Sequence, residues 1–306
     1  MDPSPDLTAR ETDGGPPPSG SERRAAAIEA LLGDPSPAVW DGVRSELERL
    51  GGAARPLLLR TARDGAPRAR SRARSLLLGM ERERASRRLI GYALRREVDL
   101  ERGFFLLSRF ADPGADLRKA LTALDAMGAE VSRRTDSLAP GPERSLILCE
   151  HLGRELGFAG DEGDYHHPDN VHLHRVIERR RGLPLSLCAL YLFVARRARI
   201  SAAPVALPGH VVLRLHLPGR NLLVDPFHRG ALVSERDCLQ YLARHSLPFH
   251  PAWFADAEDS VLLERQVLNL RAGYERNGLA REVRQLERAR AALQARRAAA
   301  IEESGT

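Results

Sequence analysis

Apolar positions recur every three or four residues over most of the chain, the spacing of helices with one buried face. "SPAVWDGVRSELERLGGAARPLLLRTA" holds two such stretches around Gly51-Gly52, and "DGAPRARSRARSLLLGM" starts another after a turn. Asp34-Pro35 and Asp64-Gly65 therefore open two similar helical units. "DLRKALTALDAMGAEVSRR" and "ERSLILCEHLGRELGF" continue the helical pattern. The loop "AGDEGDYHHPDN" and a short helix, "VHLHRVIERRR", follow. Between 203 and 233 the period changes. "APVAL", "HVVLRLHL" and "NLLVDPF" are short, β-rich and separated by Pro-Gly turns, which predicts one small sheet. Beyond 236 helix returns, and "SVLLERQVLNLRAGYERNGLAREVRQLERARAAL" reads as two amphipathic helices broken at Asn277-Gly278. The expected fold class is α+β: mostly helical, with a small antiparallel sheet.

Composition refines this picture. The first 22 residues are rich in Pro, Gly, Ser and Asp, which predicts a disordered tail. A helical array is expected over 23–110, a core domain over 111–250 and a helical pair over 251–306. The array resembles HEAT-type hairpins, and the pair resembles a tetratricopeptide-like unit with Leu270 and Tyr274 on its packing face. No apolar run reaches the length of a membrane span, and the N-terminus lacks the pattern of a secretory leader, so no membrane partner is expected. Cys149, Cys188 and Cys238 form neither a CxxC pair nor a disulfide framework, which fits a reducing cytoplasm. Net charge is +6, and Lys119 is the single lysine among 47 basic residues. Arginine and glutamate alternate along helices, as in "ERERASRRL", and aromatic residues make up only 5%. That pattern favours solvated ion-paired faces over a nucleic-acid surface.

The chemistry concentrates in two places. The first is "GLPLSLCALYLFVAR". Pro184 suits a first helical turn, and Leu185, Leu187, Leu190, Tyr191, Phe193 and Val194 make the helix apolar almost all round, hence buried. A buried helix that starts at a cleft offers free N–H groups and partial positive charge, which favour a thiolate or an oxyanion. The second is "HVVLRLHLPGRNLLVDPF", a hairpin around Pro218-Gly219. A turn centred there sets Asp225 opposite Val212, with His210 on the same face in diagonal reach. Asp225 can then hold the imidazole in one tautomer, as in a Cys-His-Asp or Ser-His-Asp arrangement. A slip of one residue would part them. In a purely structural role His210 bonds a carbonyl and Asp225 caps the turn before Pro226.

Residues from about 145 to 240 resemble the SirB-type transglutaminase-like family, a branch of the transglutaminase/papain-like (cysteine-proteinase-like) superfamily. The resemblance is carried by "DYHHPDNVHLHRVIERRRGLPLSLCALYLFVARRARI", "LPGHVVLRL" and "VDPFHRGALVSERDC". It implies a Cys at the start of the helix, a His opening one strand and an Asp ending the next. His210 and Asp225 match. The nucleophile position falls on Pro184, or on Ser186 with a small shift, and Cys188 comes one turn later. Cys188 is then a buried small hydrophobe or a displaced nucleophile, with Ser186 the other candidate. Asp164, Tyr165 and Asn170 match the pattern too, and with Pro184 they are expected to line the cleft. His172 and His174, two residues apart, diverge on a helix. No metal and no cofactor are expected. The implied function is a pseudoenzyme, a regulatory module binding a protein or peptide. The alternative is an active acyl-transfer enzyme, a protease, amidase or transglutaminase, in which Cys188 or Ser186 attacks, His210 is the base and Asp225 orients it.

Overall fold

A computed structural model describes residues 20–304. The tail expected over 1–22 lies outside the described residues as far as residue 19, and a helix begins at Gly20. The chain divides into two compact units after Met80.

The first unit is helical. It comprises α1 (Gly20–Gly33), α2 (Pro37–Leu50), α3 (Arg55–Asp64) and the start of α4 (Pro67–Ala93). Proline in the first turn opens α2 and α3, where a missing N–H costs nothing. Leu32, Leu47, Leu58, Ala73 and Leu76 form its core. Arg72 lies 4.7 Å over the Trp40 ring and donates to the Leu32 and Asp34 carbonyls, which ties the end of α1 to α4.

The second unit holds α5 (Leu100–Ala111), α6 (Leu117–Thr135) and α7 (Pro142–Cys149), the last running on into a π-helical turn, Glu150–Glu155. Two strands of two residues each, β1 (Ala159–Gly160) and β2 (Arg181–Gly182), pair in parallel on either side of α8 (Leu173–Arg179). The next helix, α9 (Pro184–Arg197), is buried from residue 184 to 195. Its all-round apolar sequence allows no other place, and α5, α6, α8 and the sheet pack on it, with Phe104 edge-on to Phe193 at 5.8 Å.

The sheet is antiparallel, ordered β3 (Ala202–Val205), β4 (Val212–Leu217), β5 (Arg220–Asp225) and β6 (Ala231–Val233). Leu217 pairs with Arg220 across Pro218-Gly219, and Gly219 sits at φ +76°, the left-handed position that a Pro-Gly turn requires of its second residue. The sequence pattern shows neither β6 nor the β1/β2 pair, because segments of two or three residues carry no alternation to read. α10 (Glu235–Arg244) starts at a capping box formed by Ser234 and Asp237. α11 (Asp259–Arg276) and α12 (Ala280–Ser304) pack on each other. Glu264, buried on α11, accepts from Gln294 at 2.6 Å, Arg297 at 2.5 Å and Arg290 at 3.3 Å, all on α12.

Arginine pairs with acid widely on the surface, for example Arg133–Glu130, Arg134–Glu155 and Arg197–Glu101. Among the described residues no helix is long and apolar enough to cross a membrane.

Candidate functional site

The hairpin builds one side of the site. Its register, Leu213 to Val224 through Leu217 to Arg220, extends to Val212 opposite Asp225, and His210 follows two residues before β4 begins. The Asp225 side chain is nearly enclosed and fully used. Oδ1 accepts from the Phe227 N–H at 2.9 Å, which caps the short 3-10 turn Pro226–His228. Oδ2 lies 2.8 Å from His210 Nε2 and 2.8 Å from His228 Nδ1. A carboxylate only accepts, so each ring turns an N–H toward it. Burial pulls the Asp225 carboxyl upward, but the hydrogen bonds and charges of His210 and His228 outweigh it and leave the group below the ordinary carboxylate value. The His210 ring packs between Tyr241, 5.3 Å away, and Phe227, 6.0 Å away. Gly209 makes this packing possible. It has φ +76°, and a Cβ there would meet Tyr241 Oη at 2.8 Å.

The start of α9 builds the other side. Pro184 occupies the first helical turn, and Leu183 before it provides no side-chain cap. Ser186 is fully buried, and its Oγ accepts from Gln266 Nε2 at 3.1 Å; the same amide donates to the Val171 carbonyl. Cys188 is also fully buried, its Sγ 3.5 Å from the Val212 carbonyl. Burial pushes its thiol far up, and the Asp225 charge adds to this.

Between the two sides lies a cleft of about 590 Å³ lined by Pro184, Tyr165, His210, Asp225, His228 and Tyr241, among others. Of the residues expected here, His210, Asp225, Pro184 and Tyr165 come together on its walls. Ser186 and Cys188 lie behind the wall. Asn170 is buried and holds the preceding loop by donating to the Asp164 carbonyl at 2.8 Å, while its own oxygen accepts from Arg179. Neither Asp164 nor Asn170, both expected at the cleft, is among its lining residues: Asn170 is spent on holding the loop from within.

Several lining residues are not legible in the sequence, among them His228, Tyr241, Asp237 and Cys238. His228 stands three residues after Asp225 in "DPFH", a spacing that a 3-10 turn stacks on one side. Tyr241 and Asp237 come from α10, whose approach depends on tertiary packing. Cys238 lines the cleft as well, but it is buried in a small apolar cluster with Val205, Leu207 and Val212, and burial pushes its thiol up to about 11.

A mostly helical α+β core whose hairpin aligns an imidazole with a carboxylate beside a buried helix start defines a class. Residues 118–267 match the family described as "Transglutaminase-like superfamily". Its relatives include a UPF0162 protein of Pseudomonas aeruginosa, 32% identical over 50% of this chain and 56% of that protein. A UPF0162 protein of Xylella fastidiosa is 28% identical over 46% of this chain and 50% of that protein. F-box only protein 21 of Homo sapiens is 28% identical over 41% of this chain and 21% of that protein. The chain thus spans about half the length of these bacterial relatives and a fifth of the F-box protein. No solved structure matches.

Proposed function

We propose that the transglutaminase-like core is a protein- or peptide-binding module that performs no acyl transfer, a pseudoenzyme working in the cytoplasm. One observation carries this reading: the helix start that faces His210 across the cleft is a proline, and both candidate nucleophiles beyond it are fully buried. A buried thiol with a raised pKa is inert at neutral pH. The cleft, open and walled by Phe227, Tyr165 and Tyr241, offers the mixed aromatic and polar lining that an extended segment uses. The F-box only protein 21 relatives, which carry the same stretch within a protein several times its length, support use of this core as a module. The free cysteines, all buried, accord with a reducing compartment. The helices flanking the core, read as HEAT-like and tetratricopeptide-like, would add protein-binding surface.

The His210–Asp225 pair at 2.8 Å favours a second reading, an active acyl-transfer enzyme with Cys188 or Ser186 as nucleophile, His210 as base and Asp225 orienting it. A cysteine-directed electrophile separates the binding module from a Cys188 enzyme, and a fluorophosphonate separates it from a Ser186 enzyme, which would be labelled at Ser186 only while His210 is present. In the native chain we expect no labelling of Cys188 that depends on His210. Rapid labelling of Cys188 that disappears in His210→Ala would establish the enzyme instead.

A further inference from the structure

His210, Asp225 and His228 bring three ligand atoms within 4.8 Å of one another, the one such group of histidine, cysteine and acid side chains among the described residues. We propose that this cluster is a binding site for a divalent first-row transition ion of the Zn²⁺ class, with its open coordination positions facing the cleft. The inference goes beyond the binding-module reading and does not depend on it.

The local chain accounts for the convergence. Asp225 ends β5, and the 3-10 turn that it caps returns His228 to the same side. His210 arrives from the segment before β4, brought there by the hairpin register. Each nitrogen lies 2.8 Å from one carboxylate oxygen, a hydrogen-bond separation; neighbouring ligands on a tetrahedral ion with bonds of about 2.1 Å stand about 3.4 Å apart, so the ligand atoms would spread by roughly half an ångström to admit it. Two imidazoles and a carboxylate are the donor set of catalytic zinc sites and of facial-triad sites, which leave positions open for water or a second molecule.

The surroundings suit such an ion. The Phe227 N–H fixes the second Asp225 oxygen, and ring packing holds His210, so two of the three ligands are already oriented. With an ion in place, each ring carries its proton on the outer nitrogen, Nδ1 of His210 and Nε2 of His228. Glu162 Oε1 lies 3.9 Å from that His228 nitrogen, positioned to balance it. Glu162 and Asp237 add negative charge to the walls. Water, or an oxygen donor of a segment in the cleft, would complete the coordination.

The test uses the full chain without a histidine tag, stripped with chelator and titrated with Co²⁺. We expect a visible ligand-field band that saturates at one Co²⁺ per chain and vanishes when Zn²⁺ is added. His228→Ala, at an exposed position, should weaken binding about 100-fold or more, and Asp225→Asn at least as much. His250→Ala, outside the cluster, should leave the titration unchanged. The proposal is overturned if no saturable band forms, or if His228→Ala retains both the band and the affinity. Because the titration involves no peptide, its failure would not touch the reading of the cleft as a binding surface.

Discussion

The two sides of the cleft differ in what they do with polar groups. On the hairpin side, every oxygen of Asp225 has a partner, and three donors converge on one carboxylate. On the α9 side, polar atoms are turned away from the opening: Ser186 toward Gln266 and Cys188 toward a strand carbonyl, with Pro184 at the mouth. A reactive centre needs both sides to present groups to the same space. Here one side gathers polar groups at the cleft, and the other turns them into the core. Resemblance in the arrangement of elements therefore carries less functional information than the residue at the helix tip.

The contrast can be broken from either side. Leu190→Ala cuts into α9 where it is fully buried, and it should cost about 2–5 kcal/mol of unfolding free energy, read by denaturant titration. Asp225→Asn should cost less, about 1–3 kcal/mol, because it disturbs partners on the cleft wall and leaves the helix packing intact. The same variant should change the acid limb of the stability curve. The native Asp225 carboxyl lies below its ordinary value, so its contribution is fully present above about pH 3.9 and is lost as pH falls through the native value. A stability-against-pH profile should show that loss in the native chain and lack it in Asp225→Asn. An unchanged acid limb would mean that the carboxylate's partners add nothing. Smallest of all is Cys188→Ala: about 1 kcal/mol in denaturation, with far-UV circular dichroism unchanged, as for loss of a small packing group.

Much of the α9 side could be read from the sequence. An all-round apolar run after Gly-Leu-Pro has one physical outcome, burial, and residues 184–195 are buried. The Pro218-Gly219 turn fixes the register that aligns His210 with Asp225, since a two-residue loop leaves a single pairing for the strands it joins. What escaped reading has equally physical causes. β6 spans three residues. The arrival of Tyr241 depends on how α10 packs, which no local periodicity encodes. The pairing of His228 with Asp225 is not legible in the sequence, because its position depends on a 3-10 turn that the aspartate itself caps. The histidines of "HHPDNVHLH" are dense in sequence, yet His172 and His174, with ring centres 6.0 Å apart, are not among the cleft-lining residues.

The missing side chain at residue 209 reaches further than a turn. The Tyr241 hydroxyl lies 2.8 Å from where a Cβ would stand, so only glycine lets the aromatic wall close on the imidazole beside it. Any side chain at 209 would displace that tyrosine and disturb the ring packed beside it, so the backbone at this turn sets how closely the aromatic wall approaches the imidazole that meets Asp225.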